Sequence, residues 1–201
     1  MSLRPRLWAL VTLLSALLVP GMAQAHPHVW VETLATVQFD KSLVTALHVV
    51  WTFDEVVSDV MIADYDKNKN GRLDPPEIEE MRKKAFEPMK PYSYFTMIYL
   101  DNKKIENLKP EHFTPRIEKN ILIYDFVLRL PQPVDPVNHV LSWSTYDESY
   151  YIDMEPPEKD PVHYEGAEGV ACKSEIAEDE GNTIYYGMVH PLRVTLTCHK
   201  S

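Results

Sequence analysis

The chain has 201 residues and a formal net charge of −10 at pH 7, with 45% hydrophobic and 25% charged residues. This length is sufficient for one domain with a substantial core, and two small domains are the alternative. Because the chain is acidic, binding to nucleic acid or to anionic lipid is disfavoured and binding to cations is favoured.

Residues 1–25 have the pattern of a secretory signal peptide. Two arginines precede an apolar run that is too short to span a bilayer comfortably, and an A-x-A cleavage site ends at Ala25. Cleavage after Ala25 predicts a periplasmic protein with one mature domain, 26–201, and an uncleaved anchor is the alternative. The leader contains no acidic residue, so its removal makes the protein still more acidic.

Cleavage at this position would expose a new terminus, His26-Pro27-His28. The free α-amino group and the imidazoles of His26 and His28 can chelate Zn²⁺, Ni²⁺ or Cu²⁺. Pro27 has no N–H, which excludes the square-planar amino-terminal copper and nickel motif. A brace-like site remains, completed by ligands from elsewhere in the chain. A solvated terminus that holds no metal is the alternative.

Two strands follow the terminus. Apolar and polar residues alternate over 29–39, and 43–52 returns as a second strand after the turn Asp40-Lys41-Ser42, which predicts a β-hairpin. His48 is expected to be an exposed or hydrogen-bonded strand residue, because a lone histidine in a strand is rarely a metal ligand.

The stretch from Asp66 to Glu77 matches the calcium-loop pattern D-x-[DN]-x-[DN]-G-x5-E at every specified position. Gly71 stands where the loop must turn sharply. Six residues are expected to supply oxygen ligands: Asp66, Asn68, Asn70, Arg72, Asp74 and Glu77. Arg72 would bind through its backbone carbonyl and the other five through their side chains. A chance acidic turn is the alternative.

Helices are predicted on both sides of this loop, so an EF-hand insertion is expected over 53–87. Asp74 can cap an exiting helix that begins at Pro75. The entering helix shows one apolar stripe, which predicts these buried residues: Phe53, Val56, Val57, Val60 and Met61. Few ligands are anionic and no second loop occurs, so weak binding and a structural rather than regulatory calcium are expected.

Short strands fill the rest of the chain. They are predicted at 92–100, 103–108, 121–130, 140–145, 150–153, 170–176 and 192–198, separated by turn signals. The proline-rich acidic stretch 155–168 is expected to be a loop or an irregular edge. The pattern predicts a mainly β protein (β-rich α+β): an antiparallel β-sandwich with one inserted EF-hand helix–loop–helix.

The two cysteines, Cys172 and Cys198, both follow the cleavage site. An even number of cysteines in an exported chain predicts a disulfide. Both residues have the inward parity of their predicted strands, which favours this pairing. A Cys-Cys-His metal site that uses His199 is the alternative.

Catalytic motifs are absent from the sequence, which contains no G-x-S-x-G, no H-E-x-x-H and no glycine-rich phosphate loop. Asp147 and Glu148 lie among tyrosines and suggest a polar site at a sheet edge. A turn with aromatic packing is the more ordinary interpretation. The sequence therefore predicts a binding protein and not an enzyme.

Several motifs occur in a characteristic order: HPHVWVE at 26–32, WTFDE at 51–55, the loop at 66–77, YSYFT at 92–96 and YDESYY at 146–151, followed by the late cysteine pair. Over most of the mature chain, this order resembles a periplasmic family of unknown function labelled "ABC-type uncharacterized transport system, periplasmic component". Members are often encoded beside nickel- or cobalt-type permeases, and some resemble the periplasmic half of a zinc-uptake pair. The resemblance implies metal binding at His26 and His28 and an inner-membrane metal permease as partner. The sequence lacks the long histidine-rich tract that is common in zinc scavengers.

Three functions are considered, in this order. The first is a periplasmic metal-binding partner of a zinc, nickel or cobalt permease, with a structural Ca²⁺ and with membrane contact only through that partner. The second is a calcium-stabilised interaction module with no transition-metal role. The third is a copper oxidase or monooxygenase built on a histidine brace, which is the one enzymatic alternative.

Overall fold

The structure of the protein, a computed structural model, describes residues 27–201. The predicted signal peptide, its cleavage site after Ala25 and His26 lie outside the described residues. Within 27–201, no helix is long and apolar enough to cross a membrane. This part of the chain forms two β-sheets and one helical insertion, which confirms the predicted mainly β sandwich with a helix–loop–helix.

Twelve strands and two α-helices lie in the described residues. The strands are β1 (Val29–Lys41), β2 (Leu43–Phe53), β3 (Thr96–Leu100), β4 (Lys103–Lys104), β5 (Lys109–Glu111), β6 (Arg116–Glu118), β7 (Ile121–Val134), β8 (Leu141–Thr145), β9 (Ile152–Glu155), β10 (Val162–Ala167), β11 (Val170–Glu178) and β12 (Leu192–Lys200). The helices are α1 (Glu55–Tyr65) and α2 (Pro75–Met81).

The first sheet has β1, β2 and β7 at its centre, and these strands pair antiparallel. β5 and β6 pair antiparallel with the other edge of β7. β9 and β10 both pair with the remaining edge of β1, and these two pairings are parallel. The proline-rich stretch 155–168 thus contributes an edge strand, β10, and the sheet is mixed at this one side.

The second sheet is antiparallel throughout, with the order β11–β12–β8–β3–β4. Cys172 and Cys198 lie directly opposite each other in β11 and β12 and form a disulfide, as predicted. A disulfide is compatible with an exported protein, because such bonds persist in oxidising compartments. The alternative Cys-Cys-His metal site was wrong.

The core lies between the two sheets. Alternate residues of β1, β2 and β7 face inward because successive side chains of a strand point to opposite faces. Each fully buried large apolar side chain contributes about 1.5–3 kcal/mol to stability. Fully buried examples from both sheets are Val37, Leu47, Phe126, Leu128, Ile98, Leu141 and Leu196.

The helical insertion connects β2 to β3 and is anchored in this core. After α2 the chain continues as a π-helical turn, Arg82–Phe86, and an irregular 3₁₀ segment, Glu87–Phe95. The Phe86 ring stacks on Phe113, with ring centroids 4.1 Å apart, and contacts Phe126 of β7 at 5.0 Å. The expectation of a strand from residue 92 was wrong, since β3 begins at Thr96 and three residues before it have positive φ.

The buried face of α1 differs from the predicted stripe. Val56 and Val60 are 73% and 57% exposed, so their prediction as core residues was wrong. The helix is turned so that Ser58 is buried, and the Ser58 Oγ accepts a hydrogen bond of 3.0 Å from the Leu122 N–H of β7. Packing against β7 therefore determines which stripe of the helix faces inward.

Candidate functional site

The loop between α1 and α2 is closed by two buried carboxylates. Asp66 is 4% exposed and Glu77 is 7% exposed. Asp66 accepts hydrogen bonds from the N–H groups of Asn70 (3.1 Å) and Gly71 (2.9 Å), one on each oxygen. Glu77 accepts from the N–H groups of Lys67 and Asp74, both at 2.8 Å. The two ends of the loop are thereby held together from inside.

The turns within the loop are formed by its own short polar side chains. The Asn68 Oδ1 accepts from the Asn70 N–H (3.0 Å), and the Asn70 Oδ1 accepts from the Arg72 N–H (2.8 Å). Such contacts two residues apart are the usual way in which asparagine stabilises turns. Gly71 has a φ of +76°, which residues with a Cβ rarely adopt. The D-x-N-x-N-G spacing thus specifies this conformation locally.

Asp74 brings a third carboxylate to the same loop. Its Oδ2 accepts hydrogen bonds from the side-chain amides of Asn68 (2.7 Å) and Asn70 (3.1 Å). Each of these carboxamides thus donates to Asp74 with its nitrogen while its oxygen accepts from a backbone N–H of the loop. The side chains at loop positions 3, 5 and 9 therefore face one another.

The chemistry of these donors suits a hard cation. Asp66, Asp74 and Glu77 form no ion pair with a basic side chain in the part of the chain that the structure describes. Burying a carboxylate without an opposite charge is costly, and the N–H donors offset only part of that cost. Among residues 27–201, no three His, Cys, Asp or Glu side chains converge on one metal position. A cation here would therefore also require asparagine and backbone oxygens.

His28 lies on the surface just before β1, far along the chain from the loop. Its N–H donates to the Tyr151 carbonyl at 3.0 Å, and its ring centroid is 5.0 Å from that of Tyr151. His48 forms a 2.7 Å contact with Asp125 on a neighbouring strand, which confirms it as a hydrogen-bonded strand histidine. The structure brings neither histidine to the loop at 66–77.

Asp147 is part of a turn. Its side-chain oxygens accept hydrogen bonds from the backbone N–H groups of Ser149, Tyr151 and Ile152. The Tyr150 ring packs at 5.9 Å from the Tyr185 ring. These contacts support the ordinary interpretation, a turn with aromatic packing.

One positioning residue was not predicted. Ser58 fixes α1 to β7 through the N–H of Leu122. Sequence reasoning missed it because a serine inside an apolar helix stripe has no distinguishing spacing. The available signal for a buried Ser58 was its place between Val57 and Met61. Both of these residues are half-buried in the structure.

The fold and the loop define a class: β-sandwich proteins that carry a helix–loop–helix between the second and third strands. The chain matches the family described as "Protein of unknown function (DUF1007)" over residues 11–189 and belongs to that family.

Two relatives have similar sequences. An uncharacterized 15.5 kDa protein from the trpE 3' region of Spirochaeta aurantia is 28% identical over 137 residues, which cover 68% of this chain and 97% of that protein. An uncharacterized protein of Haemophilus influenzae is 24% identical over 169 residues, which cover 83% of this chain and 80% of that protein. Membership of a family of unknown function is thus confirmed, while the transport-system label and a permease partner stay predictions.

Proposed function

We propose that this protein is an exported β-sandwich that binds one Ca²⁺ in the loop 66–77. The observation that carries the proposal is the pair of buried carboxylates, Asp66 and Glu77, which close the loop without a basic partner. The proposed ligands are all oxygen donors, as Ca²⁺ prefers: the side chains of Asp66, Asn68, Asn70, Asp74 and Glu77, and the carbonyl of Arg72.

The role of the ion would be structural. The loop joins two helices that are separately fixed to the sandwich, α1 through Ser58 and the segment after α2 through Phe86. An ion in the loop would hold these two anchored helices at one angle and neutralise the acidic loop. Three anionic ligands and the nearby cations Lys67 and Lys69 favour weak binding, in the range of about 10⁻⁵–10⁻³ M.

Thermal unfolding with and without calcium tests the proposal. The melting temperature should rise as Ca²⁺ is added to protein stripped with EGTA, and Mg²⁺ at the same concentration should produce a smaller rise. An unchanged melting temperature at Ca²⁺ well above the expected Kd would refute calcium binding.

A second proposal follows the family resemblance: the protein also binds Zn²⁺, Ni²⁺ or Cu²⁺ through His26 and His28 and serves an inner-membrane metal permease. The observation that favours it is the position of His28, exposed and tied by its N–H to Tyr151. An imidazole held there lies two residues from the terminus that cleavage after Ala25 would create.

Metal titration of the exported protein tests this second site. A variant with one extra residue before His26 loses the adjacent amine but keeps both imidazoles, so it should bind the metal more weakly. Equal affinities in the two forms would exclude an amine-dependent site. A copper electron paramagnetic resonance signal after loading would be required for the histidine-brace alternative.

A further inference from the structure

A groove of about 400 Å³ opens on the outer face of the first sheet, at the end where β1 begins. Trp30 and Glu32 alternate with the buried Val31 and Thr33, so they point away from the core and into this groove. The pairing of β1 with β9 places Trp30 beside Asp153 and Glu32 beside Glu155. The remaining lining comes from Val31, Thr52, Phe53, Asp54, Pro156 and Glu158.

The carboxylates of this groove are not neutralised by the protein itself. Glu32, Asp153, Glu155 and Glu158 form no ion pair within residues 27–201. In the sequence between 147 and 172, the one lysine or arginine is Lys159. Burial raises the pKa of the Asp153 carboxyl, and its hydrogen-bond partners, the Tyr150 hydroxyl and the Met154 N–H, carry no charge.

Asp54 differs from the other four carboxylates because it serves the fold. Its two oxygens accept hydrogen bonds from the N–H groups of Trp30 and Val57, both at 2.9 Å. These bonds cap α1 and tie it to β1, which fixes the backbone under the Trp30 ring. The indole is therefore presented from a rigid strand.

Trp30 is the exposed tryptophan of the described residues. Its side chain is 53% exposed, whereas Trp51 and Trp143 are buried in the core. An indole face surrounded by carboxylates is a good binding site for an organic cation, through cation–π attraction and charge. A guanidinium group stacks on such a ring and binds carboxylates with its planar edge.

We propose that this groove docks an arginine or lysine side chain on a segment of a partner protein. Charge complementarity identifies the occupant, since four unpaired carboxylates exclude phosphate-bearing surfaces such as nucleic acid and anionic lipid. The groove extends beyond one side chain, from Trp30 to Glu158, so it can also contact residues that flank the cation. None of the residues that line the groove belongs to the loop 66–77, so this proposal is separate from the calcium proposal.

The test titrates the protein with the peptide acetyl-Gly-Arg-Gly-Arg-Gly-amide and with the same peptide in which neutral citrulline replaces arginine. Calorimetry gives the affinity, and the indole N–H resonance of Trp30 reports the site, with Trp51 and Trp143 as internal references. We expect saturable binding of the arginine peptide with a shift confined to Trp30. The titration is repeated with Ca²⁺ and with EGTA, so that a failure of the calcium proposal can be distinguished from a failure of the docking proposal.

Matched variants then assign the binding to the groove. Trp30→Leu should weaken binding about tenfold and Trp30→Phe less, because indole is the better cation–π partner. The triple change Glu32→Gln, Glu155→Gln and Glu158→Gln should also weaken it about tenfold. The control triple Glu175→Gln, Glu178→Gln and Glu180→Gln removes the same charge from the exposed β11 side and should change affinity less than about twofold.

Four results would overturn the proposal. They are the absence of saturable binding, equal binding of the citrulline peptide, an equal loss in the control triple, and binding of free arginine amide as tight as that of the peptide. The third result would mean that the net charge of the chain, and not the groove, attracts the peptide. The fourth would mean that the groove binds a small molecule and not a protein segment. Melting temperatures of all variants verify that they are folded.

Discussion

The loop at 66–77 and the groove at Trp30 are both acidic, but their carboxylates are satisfied in opposite ways. Asp66 and Glu77 accept hydrogen bonds from N–H groups of their own twelve-residue stretch. Glu32, Asp153 and Glu155 come from strands that are distant in sequence and line the groove without a basic partner. The first arrangement stabilises a local fold, and the second leaves charge available to another molecule.

Removing the last loop ligand should produce the largest effect. Glu77→Gln would replace one acceptor oxygen by an amide donor and remove an anionic ligand, so the stabilisation that Ca²⁺ provides should disappear. At Ca²⁺ a hundredfold above Kd, that stabilisation is about 2.7 kcal/mol in the wild-type protein. The measurement is the free energy of unfolding in urea with Ca²⁺ and with EGTA. Exposed Glu180→Gln is the control, and a Ca²⁺ effect that persists in Glu77→Gln would contradict the loop as the site.

The attachment of α1 should be the next most sensitive feature. Ser58→Ala leaves the buried Leu122 N–H without an acceptor, which should cost about 1–3 kcal/mol in the free energy of unfolding. Val60→Ala on the exposed face of the same helix should cost less than about 0.5 kcal/mol. Urea unfolding compares the two variants. Equal losses would mean that the helix packs through the stripe predicted from its periodicity.

A smaller and pH-dependent effect is expected at Asp153. Burial raises the pKa of Asp153 in the folded protein, so the unfolded chain loses this proton at a lower pH than the folded protein does. The contribution of Asp153 to the free energy of unfolding therefore falls as the pH rises through the folded-state pKa. Asp153→Asn should therefore increase stability at pH 7 by about 0.5 kcal/mol, a small figure because the group is partly exposed. The gain should vanish below about pH 4, the unfolded pKa. A gain that grows as the pH falls would contradict the burial argument.

The smallest effect on stability should follow a change that is expected to weaken docking about tenfold. Trp30→Leu removes a ring that is half exposed, so the melting temperature should change little. Trp51→Leu, which truncates a buried ring, should lower the melting temperature strongly, because large-to-small changes in a core leave a cavity. Thermal unfolding of the two variants measures the contrast. A large loss in Trp30→Leu would make that residue part of the fold and not of a docking surface.

The features that could be predicted from the sequence are those that residues close together in the chain form by themselves. The loop conformation was predictable because each turn is made by Asn68, Asn70 and Gly71 acting on their immediate neighbours. The disulfide followed from two cysteines in a chain for which export is predicted. The alternation of apolar residues predicted the sandwich, because a strand with one buried face must repeat every second residue.

The sequence by itself therefore determined the class of fold, the helix–loop–helix and the cysteine pair, since local hydrogen bonding and hydrophobic period are encoded in neighbouring residues. Only the tertiary structure decided which face of α1 is buried. The apolar period predicted one stripe that includes Val56 and Val60, but packing of Ser58 against β7 leaves these two valines on the exposed face. The parallel pairing of β9 with β1, which assembles the groove, was also a tertiary outcome, because strand partners far apart in the chain are chosen by packing and not by local sequence.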